Sequence, residues 1–143
     1  VPNLAISLNA TDDETRSRIM PVNRKWNIEQ LLSACREFPL EPRRRITFEY
    51  VLLAEENDSV EDARRLAQLL RGIPSKVNLI PYNPNPGLGH RRPTAEQIVR
   101  FQAVLESEHL ASFVRRTRGD DVSAVCGKLA HFESEPETSR TTT

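Results

Sequence analysis

What most constrains the fold of this chain is a regular exchange between two hydrophobic periods: short apolar or alternating runs, and longer stripes repeating every three to four residues. Leu4 to Leu8 reads as a short buried strand, and the polar run from Asn9 to Arg18 suits a loop or a helical turn. Between Asn27 and Phe38 the apolar residues Ile28, Leu31, Leu32 and Cys35 fall at i, i+3, i+4 and i+7, one face of an amphipathic helix that Pro39 and Pro42 end. Arg45 to Leu53 is β-branched and aromatic, with Ile46, Phe48 and Tyr50 on one face of a strand and Thr47, Glu49 and Val51 on the other. Asp58 or Ser59 can cap the next helix, whose stripe Val60, Ala63, Leu66, Ala67 and Leu70 runs until Gly72 and Pro74. Lys76 to Tyr82 makes a third strand and leads into a loop rich in proline and glycine. Thr94 and Gln97 then form a capping box for a helix carrying Ile98, Phe101 and Leu105, and Ser112 to Thr117 makes a fourth strand.

The order β-α-β-α-β-α-β predicts an α/β chain, with parallel strands covered by helices through right-handed crossovers. Three and a half such units are about half of an eight-unit barrel of ~250 residues, so the expectation is an open sheet or part of a barrel. The chain also opens almost inside a strand, whose backbone groups need sheet neighbours. That placement leads to the expectation that this is the later part of a larger domain.

Composition narrows the function classes. Twenty Lys and Arg balance twenty Asp and Glu, so no global field draws the chain to nucleic acid or membrane, and any RNA contact must be local. No run approaches the ~18 apolar residues of a membrane span, and the start lacks the regions of a signal peptide, so a cytoplasmic setting is expected. In that setting Cys35 and Cys126 are free thiols. From Glu133 onward nothing apolar remains to bury, and 133–143 is expected to be a disordered tail.

In parallel α/β architectures ligands bind beyond the carboxyl ends of the strands. Ser7, Leu8 and Asn9 close the first strand and Asn83 closes the third, although Ser and Asn at strand ends also serve simply as turn formers. Cys126 reads from its alanine and valine neighbours as a small buried hydrophobe. Arg115, Arg116 and Arg118 would instead favour its thiolate if the fold brings them near. Cys35, on an apolar stripe, reads as core. Asp120 and Asp121 are adjacent and lack further ligands at workable spacing, and His90, His109 and His131 stand apart from one another, so no metal site or catalytic triad emerges. Arg43 to Arg45 and Arg91 to Arg92 read as solvated surface, with phosphate contact as the alternative. Trp26 and Tyr82 are available to stack on bases.

Three segments carry a resemblance: Ser7-Leu8-Asn9-Ala10, Asn78-Leu79-Ile80-Pro81-Tyr82-Asn83-Pro84, and Arg115 to Gly127 with its Thr-Arg-Gly-Asp-Asp run and Cys126. Together they resemble the radical S-adenosylmethionine methyltransferases that methylate carbon 2 of an adenine in ribosomal RNA, over about residues 3 to 130. The resemblance implies that residues 1–132 form the C-terminal half of such a domain, the last strands of a partial (β/α)6 barrel. It implies S-adenosylmethionine as cofactor, bound in part by Ser7, Leu8, Asn9 and Asn83, with Cys126 as the residue that carries a methyl group to the adenine. Relatives usually have histidine at the position of Asn9, a change that keeps hydrogen bonding but loses a titrating ring.

The same resemblance implies a [4Fe-4S] cluster on a Cys-x3-Cys-x2-Cys motif. With only Cys35 and Cys126, this chain has no such motif and no expected metal ligands. The implied partners are 23S rRNA, with transfer RNA left open, and the N-terminal half of the same enzyme, which would be a monomer when intact. By itself the chain is expected to be inactive. The competing reading is a non-catalytic α/β module that binds RNA or protein and has lost the chemistry.

Overall fold

A computed structural model describes residues 4–84 and 89–115. Its order is β1 (Ala5–Ser7), α1 (Asp13–Ile19), a 3-10 turn (Pro21–Arg24), α2 (Ile28–Glu37), β2 (Ile46–Leu52), α3 (Val60–Leu69), β3 (Ser75–Pro81), α4 (Ala95–Ser107) and β4 (Ala111–Val114). All four strands are parallel and lie in the sheet in sequence order. Right-handed crossovers between strands in sequence order send every helix to the same face. The α/β expectation therefore holds, with its strand bounds moved by a residue or a few. The polar run after β1 contains a full helix, started by Asp12, whose carboxylate accepts from Thr15 N–H at 2.7 Å.

Burial records the one-sided covering. On β2 the residues Ile46, Phe48, Tyr50 and Leu52 are 0% exposed, and their β3 neighbours Val77 and Leu79 likewise. Against them pack Ile28, Leu32 and Cys35 of α2, Ala63, Leu66 and Ala67 of α3, and Ile98, Phe101 and Leu105 of α4, the stripes expected from helical spacing. Tyr50 and Phe101 meet with ring centroids 5.4 Å apart. Burial pushes the Cys35 thiol up, with Arg36 opposing weakly, as suits a residue of the core.

The caps follow the sequence with one exception. Ser59 accepts from Asp62 N–H at 3.0 Å and Asp62 reaches back, a complete capping box for α3. At α4 only half of the expected box forms: Thr94 accepts from Gln97 N–H, but the Gln97 amide turns away to donate to the Asp58 carbonyl at 2.7 Å. A buried carbonyl in the loop after β2 gains more from that amide than the exposed backbone of Thr94 would.

Candidate functional site

The face of the sheet opposite the helices is uncovered among the described residues. An all-parallel sheet is normally covered on both faces, so an open one implies a ligand or further chain. The register places Ser7 beside Glu49 and Glu49 beside Asn78, with Thr47 beside Lys76, Val51 beside Ile80 and Phe113 beside Asn78, all on this face. Ser7 and Phe113 are exposed and the central residues half-buried. Arg115, just past β4, stands 3.9 Å from Glu49 across β3. A shallow depression lies between Thr47, Lys76, Asn78 and Phe113. These residues were not singled out from the sequence as a site. The alternation of polar and apolar residues in β2 and β3 was the available signal, since a fully covered parallel strand is apolar on both faces.

At the carboxyl end of β1 the chain is tightly held. Leu8 is 0% exposed and its side chain belongs to the core, so only its backbone faces the loop. Asn9 takes a left-handed conformation, φ 62°, and its side-chain oxygen accepts from Val51 N–H at 2.8 Å. Asn57, 0% exposed in the loop after β2, donates to the carbonyls of Asn9 and Val51 at 2.9 and 2.7 Å, and its oxygen accepts from Leu53 N–H at 2.8 Å. Ser7 keeps an exposed hydroxyl with no hydrogen bond among the described residues.

Asn83 lies two residues past β3, and its oxygen accepts from Arg92 Nη1 at 2.8 Å. Arg92 thus fixes the amide with its NH2 group left to donate. Arg91 instead pairs with Glu55 at 2.9 Å, so this arginine pair is engaged within the protein. Asn83 and Ser7 stand on strands separated by β2, about 10 Å across two strand spacings, and Asn78 is the β3 residue level with Ser7, so Asn83 also lies more than about 13 Å further along the strand direction.

The loops at this end are tied to one another by groups that the sequence left apart. His90 Nδ1 lies 2.6 Å from Glu56, which also pairs with Arg18 of α1 at 3.7 Å, linking the loops after β1, β2 and β3. Tyr82 meets His90 edge-on at 5.6 Å, and its hydroxyl is buried without a partner among the described residues. Tyr82, half-buried with its ring against His90, is thus partly engaged within the protein, and its backbone extends the β3 ladder to the Leu52 carbonyl. Trp26, 55% exposed beside Lys25, remains available. Arg43, Arg44 and Arg45 precede β2, at the opposite end of the sheet.

Asp58, 7% exposed, accepts from Glu55 N–H at 2.9 Å. Burial lifts its carboxyl above the ordinary range, backbone N–H bonds from Glu55 and Asp58 itself hold it partly down, and Asp62 and Glu55 add repulsion. The folded chain then binds this proton more tightly than the unfolded chain. Stability from Asp58 is present below about pH 4 and falls as the pH rises through the folded value. Asp58→Asn keeps the acceptor and removes the charge. We expect it to resist urea better than the wild type at pH 7, with the two midpoints converging toward pH 3.

Among the described residues no group of His, Cys, Asp and Glu could hold a metal ion. The described residues therefore do not fit an iron–sulfur cluster. Toward S-adenosylmethionine they offer an exposed hydroxyl at Ser7 and an oriented amide at Asn83, polar groups of the kind its ribose and amino acid groups would bind. Cys126, Arg116, Arg118, Asp120, Asp121, His131 and the 133–143 tail lie outside the described residues.

A one-sided parallel α/β sheet with polar loops at its carboxyl edge is the architecture of a radical S-adenosylmethionine barrel segment. It superposes on the crystal structure of a radical SAM methyltransferase from Sphaerobacter thermophilus with a TM-score of 0.80 and 47% identity, covering 87% of this chain and 37% of that one. No protein-family model matches. The chain is 58% identical to the dual-specificity RNA methyltransferase RlmN 2 of Myxococcus xanthus over 140 residues, 97% of this chain and 37% of the relative. It is 61% identical to the RlmN of Anaeromyxobacter sp. over 127 residues, 89% of this chain and 34% of the relative. Over most of its length the chain is similar to curated RlmN dual-specificity RNA methyltransferases, and it spans about a third of the length of the curated relatives it matches.

Proposed function

We propose that this chain is the C-terminal part of an enzyme that methylates carbon 2 of adenine in 23S rRNA, with transfer RNA as a further substrate, a reading supported by relatives named dual-specificity RNA methyltransferases. The observation that carries the reading is identity of 58% sustained over 97% of the chain. Within it, Ser7 and Asn83 contact S-adenosylmethionine by side chain, while Leu8 and Asn9 shape the turn that presents Ser7. When bound, S-adenosylmethionine supplies an electrophilic methyl group. Cys126 would take that methyl group in a displacement that releases S-adenosylhomocysteine, and the methylated cysteine would be the carrier to RNA.

Cluster ligands and the remaining strands come from the rest of the polypeptide, and the enzyme works in the cytoplasm as a monomer. No helix among the described residues is long and apolar enough to cross a membrane. The uncovered sheet face and the open edges at β1 and β4 among the described residues support the reading, since the one could take the cofactor and the others further strands.

The test uses the full-length protein with its cluster reconstituted anaerobically, incubated with S-adenosylmethionine and with 23S rRNA or transfer RNA. Mass spectrometry is expected to find 2-methyladenosine in the rRNA. A cluster-loaded protein that binds S-adenosylmethionine and RNA yet modifies neither RNA would sink the proposal in favour of a binding module.

A further inference from the structure

Arg16, on α1, is 4% exposed and makes no ion pair within 4 Å among the described residues. Every partner of its guanidinium is a neutral oxygen. Nε donates to the Leu8 carbonyl at 2.8 Å, Nη2 to the Ser7 carbonyl at 3.0 Å, and Nη1 to Asn23 Oδ1 at 3.0 Å and the Trp26 carbonyl at 3.3 Å. Burying a cation among neutral groups costs free energy, and burial does push the Arg16 pKa down, with Asp13 opposing. An apolar residue would fill the space at lower cost. What it could not do is hold two consecutive carbonyls in a fork.

Those two carbonyls decide where β1 ends. Thr47 N–H donates to the Leu4 carbonyl and Leu8 N–H to the Glu49 carbonyl, so in a parallel ladder the next rung would run from Val51 N–H to the Leu8 carbonyl. Arg16 occupies that carbonyl. Val51 N–H turns instead to the Asn9 side chain, and Asn9 enters its left-handed turn. The strand is thereby stopped one rung early, with Ser7 at its exposed end.

We infer that Arg16 is a positioning residue for the cofactor: by taking the Ser7 and Leu8 carbonyls it sets the turn that presents the Ser7 hydroxyl to S-adenosylmethionine. The inference rests on the proposed cofactor role of Ser7. Arg16 is 4% exposed and commits four of its five N–H donors within the chain, so it acts through the turn rather than on the ligand. Lysine, with one compact ammonium group, cannot span both carbonyls in a plane.

The experiment measures binding of S-adenosylmethionine to the full-length, cluster-loaded protein by equilibrium dialysis, for the wild type, Ser7→Ala, Arg16→Lys and Arg16→Ala. Hydrogen exchange of the 6–10 peptide and thermal unfolding are recorded alongside. In Arg16→Lys the Kd is expected to rise roughly tenfold or more, as misplacement of a binding group by a fraction of an ångström does. Exchange at 6–10 should quicken while distant core peptides keep their protection. Millimolar ethylguanidinium should restore part of the affinity of Arg16→Ala and none to Ser7→Ala, a response that a general loss of stability would not give. If neither arginine variant accumulates folded, Asn23→Ala, which removes one acceptor from the guanidinium, is expected to raise Kd about threefold by the same loosening. An unchanged Kd in a folded Arg16→Lys, or in Asn23→Ala where that variant replaces it, overturns the inference. If Ser7→Ala binds like the wild type, the cofactor reading of Ser7 itself has failed, whatever Arg16 does.

Discussion

Asn57→Ala is expected to lower the free energy of unfolding by about 3 to 4 kcal/mol, from the ~1–3 kcal/mol cost of each buried polar group left without a partner. The amide of Asn57 serves three backbone groups, the carbonyls of Asn9 and Val51 and the N–H of Leu53, and none of its side chain reaches solvent. Alanine leaves one N–H and two carbonyls unsatisfied in a space too polar for the core to collapse upon. The hydrogen bond from the Tyr50 hydroxyl to the Asn57 carbonyl survives, because it uses backbone. Asn57→Asp is the informative companion: it keeps the acceptor for Leu53 but points an oxygen at two carbonyl oxygens, so it should be as damaging at neutral pH. Urea unfolding followed by circular dichroism checks both, with the midpoint falling and the slope unchanged. A loss under about 1 kcal/mol would mean that water takes over the amide's bonds.

Cys126→Ala in the full-length protein is expected to reduce methylation of RNA by at least ~10³-fold, the scale on which removing a covalent nucleophile acts. Binding of S-adenosylmethionine should stay within about twofold, since the thiol is assigned to accepting the methyl group rather than to holding the cofactor. Peptide mass spectrometry of the wild type should find a methyl group on Cys126, and its absence in an active enzyme would remove the carrier role. Cys35 cannot substitute. It is 4% exposed, packed among the apolar residues of α2 and β2, and its thiol is raised by burial, so the nucleophilic thiolate is scarce there. Cys35→Ala should accordingly leave methylation intact while costing some stability.

The histidine that the resemblance implies at position 9 can be read against the geometry of Asn9. The Asn9 oxygen stands in for a rung of the β1–β2 ladder by accepting from Val51 N–H. An imidazole nitrogen can accept the same bond. The change from the histidine that the resemblance implies thus keeps one of the contacts that shape the turn.

The sequence by itself determined the parallel α/β class, the helical stripes and the division of β2 into two faces, because burial against helices is written in the period of apolar residues. Ile46, Phe48 and Tyr50 are legible for that reason, and so are Leu66 and Phe101. It also placed Ser7, Leu8, Asn9 and Asn83 at strand ends, where topology puts ligands. Only the tertiary structure decided what those ends do. It sent the Leu8 side chain into the core, gave the Asn83 amide to Arg92, and made Arg16 and Asn57 the holders of the turn after β1. It also joined Arg18, Glu56 and His90 across three loops. These are hydrogen bonds between residues distant along the chain or lying in polar runs, where no hydrophobic period marks them. A buried arginine held by carbonyls is indistinguishable in sequence from a solvated one, since its partners are backbone atoms that every residue carries.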